Sequence, residues 1–161
     1  NNGDIFGQHI SFDGSILSGQ SNGISLCEET NDQSGANTTF LENINTVTTC
    51  WEDFRNGSHW DAYCRSIDLT THFIYDEVIL SDAIGDQMNP YLFTSLDETV
   101  LVVWEDFRNG ANEYSDIYIQ ELVNGEMKYV EGGVVVCNAF HNQVNPRIDV
   151  LSHSIDKSYL I

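Results

Sequence analysis

Oxygen donors, guanidinium groups and sulfurs recur in this sequence at a few fixed places. Asp53, Asn56 and Asp61 bring oxygen-bearing side chains close together, and Asp106 and Asp116 return in the same setting further on. Hard oxygens of this kind suit Ca2+, so these residues are weak candidates for a calcium site, and no other cofactor is expected. Their spacing is not that of an EF-hand loop, and Arg55 and Arg108 put a positive charge inside each cluster. The stronger reading is structural. Asp53 and Asp106 accept backbone N–H groups across a tight turn, and each arginine pairs with a local carboxylate, Asp53 or Asp61 and Asp106 or Asp116.

Other reactive patterns are poorer. Gly19-Gln20-Ser21-Asn22-Gly23 matches the G-x-S-x-G of a nucleophile elbow, but no helical stretch follows it, and no catalytic residue is assigned. The histidines at 9, 59, 72, 141 and 153 show no ligand spacing and read as surface or loop residues. Asn37-Thr38-Thr39 and Asn56-Gly57-Ser58 fit the N-glycosylation pattern. Asn37 is the better acceptor of the two, because Asn56 lies in a tight turn.

The elements that must position these residues are repeats. Trp51-Glu52-Asp53-Phe54-Arg55-Asn56-Gly57 recurs letter for letter as Trp104-Glu105-Asp106-Phe107-Arg108-Asn109-Gly110, a step of 53 residues. Asp61-Ala62-Tyr63-Cys64 is answered by Asp116-Ile117-Tyr118-Ile119 and, at the amino end, by Asp4-Ile5-Phe6-Gly7. Cys27, Ser81 and Cys137 are each followed six residues later by Gln33, Gln87 and Gln143, the last two leading into Asn-Pro. Within a period, Val100-Leu101-Val102-Val103-Trp104 is a short β-branched run, and Asn-Gly marks turns at 56, 109 and 124. Expected strands run over 91–95, to Trp104, over 115–122 and to near Val136. A repeating unit of four antiparallel strands in this length is a propeller-type blade.

The expected fold is therefore all-β, a β-propeller-like array of about three four-stranded antiparallel blades within a single repeat domain. Residues 1–36 form the second half of a blade, 37–82 and 88–137 whole blades, and 145–161 a first half. Asp4, Ile5 and Phe6 then belong to a third strand running from Asp4 to Ile10, while Tyr159, Leu160 and Ile161 align with Val100-Leu101-Val102 of a second strand. One blade is split between the two ends. Three blades close poorly into a ring, so continuation between molecules is expected, with raw strand edges inviting another copy or a neighbouring repeat.

Register arithmetic locates a cross-link. If Trp51 faces Tyr63, Cys50 lies opposite Cys64, as Val103 lies opposite Ile119 in the next copy. A Cys50–Cys64 disulfide follows, and with it an oxidising, extracellular setting. Cys27 and Cys137 hold equivalent places in different blades and are expected as separate, buried thiols. The net charge of −19, with only 6 Lys and Arg against 25 Asp and Glu, argues against a nucleic-acid partner and against anionic membrane surfaces. No apolar run is long enough for a membrane-spanning helix, so membrane insertion is not expected.

Taken together, W-x-D-x-R-x-G, D-I-Y-x-Q, G-x-x-V-x-C and Q-x-x-P resemble the propeller repeats of large secreted bacterial surface proteins, and more distantly TolB-type, WD40-like repeats. The resemblance covers essentially the whole chain. It implies that Trp51, Asp53, Arg55, Asp61, Tyr63, Trp104, Asp106, Arg108, Asp116, Tyr118, Gln33, Gln87 and Gln143 are framework residues, and that the place is extracellular. The first copy departs from the pattern, with Ser34-Gly35-Ala36 where Asn-Pro is due. The expected role is a non-enzymatic structural or adhesive module that self-assembles. The alternative is a carbohydrate-binding or glycoside-hydrolase-type propeller, which would have surface glycans as partners. Loop aromatics expected to be exposed, such as Trp60 and Tyr114, suggest it, although hydrolysis needs two carboxylates converging on one cleft.

Overall fold

The computed structural model describes residues 2–17, 21–109, 114–151 and 158–161. Its regular elements are all strands. They are β1 (Ile5–Gly7), β2 (Ile24–Cys27), β3 (Gln33–Leu41), β4 (Thr46–Asp53), β5 (Asp61–Asp68), β6 (Val78–Ser81), β7 (Gln87–Thr94), β8 (Val100–Asp106), β9 (Asp116–Val123), β10 (Glu126–Met127), β11 (Val134–Cys137), β12 (Asp149–Leu151) and β13 (Ser158–Leu160). All pairings are antiparallel, and apart from that of β11 with β9 they join strands consecutive in the chain. Sheet I is β1–β2, sheet II β3–β4–β5–β6, sheet III β7–β8–β9 with β10 and β11 both on β9, and sheet IV β12–β13. Among the described residues these pairings close no barrel.

Side-chain parity along the central strands explains the layering. On β8, Val100, Val102 and Trp104 enter one cluster with Leu41, Cys50, Ala62, Cys64 and Leu80 of sheet II. Leu101 and Val103 enter another on the opposite face, with Ile117, Ile119 and Ile148. Sheet II is used in the same way, since Trp51 and Tyr63 pack on Ile5, Ile24, Leu26 and Cys27 of sheet I while Cys50 and Cys64 face sheet III. A strand covered on both faces has no polar side, which is why 100–104 is a continuous apolar run rather than an alternating one. Sheets II and III thus each turn the motif tryptophan, Trp51 or Trp104, back toward the preceding sheet.

The registers are those deduced from the repeat, with Trp51 opposite Tyr63 and Cys50 opposite Cys64. Trp104 lies opposite Tyr118 and Val103 opposite Ile119. Cys50 and Cys64 form a disulfide across this narrow pair, with Cα atoms 4.0 Å apart. Cys27 is a buried thiol as expected, but Cys137 is only half-buried.

Strand limits differ from expectation where sheets II and III start. The strand expected over 91–95 begins at Gln87, and the first strand of the sheet expected from 37 begins at Gln33. The reason is a bulge in each first strand, between Met88 and Tyr91 and between Ser34 and Asn37. The bulge turns on a positive φ at Asn89 and Gly35, so pairing resumes beyond an irregularity that reads in sequence as a break. Gly35 therefore does in the first copy what Asn89 and Asn145 do before proline, all three lying in the left-handed region. Second strands also run past the tryptophan to Asp53 and Asp106, and the amino-terminal strand expected to reach Ile10 stops at Gly7.

The disulfide closes a loop of sequence separation 14, a constraint on the unfolded chain worth about 3 kcal/mol. Replacing the pair by the residues sheet III uses, Cys50→Val with Cys64→Ile, should preserve the fold and lower its unfolding free energy by about 2–3 kcal/mol. Urea denaturation of the oxidised parent and the double variant reads this directly, and equal stability would contradict it.

Candidate functional site

The repeated motif builds the same joint twice. β4 ends at Asp53 and β8 at Asp106, and both carboxylates are fully buried. Asp53 accepts the Trp51 indole N–H at 3.1 Å, the Arg55 backbone N–H at 2.8 Å and the Arg55 guanidinium at 2.6 Å. Asp106 accepts the Trp104 indole at 2.8 Å, the Arg108 backbone N–H at 3.0 Å, and Arg108 Nε and Nη2 at 2.8 and 2.5 Å. Each guanidinium lies 4.0 Å from the ring centroid of its tyrosine, Tyr63 or Tyr118, and each tyrosine stacks beside its tryptophan. A planar, permanently charged fork serves this place, because it must satisfy a carboxylate and cover a ring at once.

The guanidiniums also reach the preceding sheet. Arg55 Nη2 lies 3.3 Å from Cys27 Sγ of β2, and Arg108 Nη2 donates to Ser81 Oγ of β6 at 3.0 Å. Cys27 and Ser81, each six residues before a glutamine, are therefore sockets for the arginine of the next sheet. Arg55 further pairs with Glu77, which also takes Arg65, whereas Arg108 donates to the carbonyl of Gly132. A side chain at neighbouring Gly133 would sit 2.5 Å from the Trp104 ring, so only glycine fits there.

The glutamines tie the loops between sheets. Gln33, Gln87 and Gln143 each donate Nε2 to carbonyls four and two residues earlier: Glu29 and Asn31, Ala83 and Gly85, Ala139 and His141. The residue before each glutamine holds the previous sheet. Asp32 accepts from Gly3 N, Asp86 from Trp60 N and Asn142 from Ser115 N. The motif glutamates reach forward, Glu52 accepting from Asn89 N at 3.1 Å and Glu105 from Asn145 N at 2.8 Å. Sequence reasoning assigned no role to Glu52, Glu105, Asp32, Asp86, Asn142 or Glu77, although all but Glu77 recur at fixed repeat positions and could have been found by that signal.

The candidate calcium residues are drawn into other bonds. Asp53 and Asp106 are occupied by indole and guanidinium donors. Asp61 accepts from Asn56 at 2.7 Å and pairs with His59 at 2.9 Å, and Asp116 accepts from Asn109 at 2.9 Å. The arginines choose Asp53 and Asp106, not Asp61 and Asp116, which bind the turn asparagines instead. Among the described residues no group of three or more His, Cys, Asp or Glu is placed to hold a metal ion. Asn56 uses both ends of its amide, accepting from Ser58 N and His59 N while donating to Asp61, whereas Asn37 is exposed on β3. Trp60 is half-buried against Phe54 at 5.2 Å, not the exposed aromatic expected. Gly19 and Gln20 of the G-x-S-x-G pattern, Gly110 of the second motif, and His153 lie outside the described residues.

No protein-family model matches the chain, and neither a curated protein nor a solved structure matches it. Function rests on the geometry.

Burial pushes the Asp53 carboxyl up, but hydrogen bonds from the Arg55 guanidinium, the Trp51 indole and the Arg55 amide outweigh it and hold the group below its ordinary 3.8. Burial pushes the Cys27 thiol up to about 11, so it stays protonated at neutral pH. A carboxyl depressed on folding stabilises the fold above its unfolded pKa, and that contribution is lost as pH falls through the folded value. Asp61, raised chiefly by burial, has the opposite sign, contributing in acid and losing that contribution as pH rises through its folded value. Stability should therefore fall as pH drops below 3.8, and Asp53→Asn should be less stable at neutral pH with a flatter acid slope. An unchanged slope in urea titrations of that variant would refute the assignment. Asp106→Ala, which strands a half-buried guanidinium and an indole N–H, should cost about 3 kcal/mol in the same assay.

Proposed function

We propose that the protein is an extracellular, non-catalytic structural or adhesive module of propeller-type repeats, its sheets serving as blades, which assembles with further copies of itself through its end sheets. The observation that carries this reading is the outward face of sheet III. Tyr91, Phe93, Ile117, Val136 and Cys137 line a cavity of about 990 Å³ there, together with the segment 143–149 and Leu160–Ile161. Cys137 occupies the repeat position of Cys27 and Ser81, both of which receive the guanidinium of the following sheet. The face is thus built like two faces already covered within the molecule, and what covers those is on view. Strands β1–β2 of a second copy, set beside β12–β13, would continue the stack in the same chain order, main-chain pairing supplying affinity.

Further support is of a coarser kind. A disulfide fits an oxidising compartment. Phe6 and Leu160, on β1 and β13, are exposed apolar side chains at the two ends of the stack.

Light scattering across a concentration series should show mass rising beyond the 18.1 kDa chain, and electron microscopy should show rings or filaments. Phe6→Glu and Leu160→Asp should each return the particle to a monomer without lowering its melting temperature. A monodisperse 18.1 kDa particle at every concentration would overturn the reading.

A further inference from the structure

The loops that join one sheet to the next, 28–32, 82–86 and 138–142, share one scaffold, and the third departs from it in its side chains. In each, the following glutamine fastens two carbonyls, and the residue two before that glutamine has positive φ: Asn31 at 66°, Gly85 at 98° and His141 at 75°. Asparagine and glycine adopt this backbone readily, and histidine less so. At the neighbouring tip position the copies carry Thr30, Ile84 and Phe140. The fold needs neither ring at 140 and 141, since its first two copies do without them.

Those rings join a third. Phe140 and His141 have centroids 4.3 Å apart, Tyr114 stacks with Phe140 at 6.1 Å and 28°, and Tyr114 meets His141 at 6.0 Å. Phe140 is 83% exposed and Tyr114 42%, so the cluster is presented to solvent rather than folded into the core. Asn109, Asp116, Asn138 and Ala139 complete the lining of an open cavity of about 490 Å³. The glutamine clamp on Ala139 and His141, with Ser115 Oγ donating to the Gln143 carbonyl at 2.7 Å, fixes the loop before any ligand arrives.

We infer that this cluster is a binding site for a neutral pyranose sugar. The aliphatic C–H face of such a ring packs on an aromatic face through the ring's negative quadrupole, while the amides and the carboxylate around it meet the hydroxyls. Asp116 in the lining, within a chain of net charge −19, disfavours acidic sugars. The site would give the module a surface to hold, and it stands independently of whether copies assemble.

The full chain should be applied to an array of neutral and acidic oligosaccharides, and the retained glycan titrated in solution. Neutral hexopyranose glycans should be retained, and Phe140→Ala should weaken binding about tenfold, with Phe140→Tyr restoring it. Ile84→Ala, at the equivalent tip, should leave binding unchanged, and none of the three should shift the melting temperature. Retention of no neutral glycan, retention of acidic glycans alone, or undiminished binding by Phe140→Ala would each overturn the proposal.

Discussion

A carboxylate buried at the end of a strand is the constraint on which this molecule turns. Asp53 and Asp106 are removed from water and would be severely unfavourable without donors, so each gathers an indole N–H, a backbone N–H and a guanidinium. The rest follows from those donors. The indole bond fixes the tryptophan ring toward the preceding sheet, and the guanidinium, resting on the cross-strand tyrosine, extends to the preceding sheet's last strand. The backbone bond shapes the turn that leads to the next strand. One side chain thereby sets a rotamer, a turn and a junction.

Parity carries that constraint through the sheet. With Trp104 facing back, Val103 must face forward, and so must its partner Ile119. In sheet II the forward pair is Cys50 and Cys64, which places the disulfide in the layer beneath Trp104. Motif, apolar run and cross-link are therefore consequences of one alternation rather than separate features. The forward-reaching Glu52 and the backward-reaching Arg108 give the junction of sheets II and III polar ties from both sides.

Much of this was legible because the chain states it twice. The seven-residue identity located equivalent turns, and matching the two copies set the register that brought Cys50 opposite Cys64. The all-β class followed from the same comparison. Other parts were hidden for definable reasons. Bulges at Gly35 and Asn89 let strands begin before a proline or glycine that reads locally as an interruption. Arg55 and Arg108 had two carboxylates each within sequence reach, and only the fold shows that the turn asparagines claim Asp61 and Asp116. Trp60 looked exposed in sequence and is half-buried because Phe54, across the same turn, packs on it. The aromatic cluster at 140–141 was illegible from motifs, since it consists of departures from them, and its third member, Tyr114, joins through tertiary contact alone.

The measurement that most directly tests whether the aspartate-held guanidinium couples successive sheets is a double-mutant cycle across the junction, Ser81→Ala on sheet II with Arg108→Met on sheet III. Unfolding free energies of the parent, both single variants and the double variant should reveal a coupling of about 1 kcal/mol, the double variant losing less than the sum of the singles. Additive losses, agreeing within about 0.3 kcal/mol, would mean that the guanidinium stabilises its own sheet only and that the joint does not link the layers.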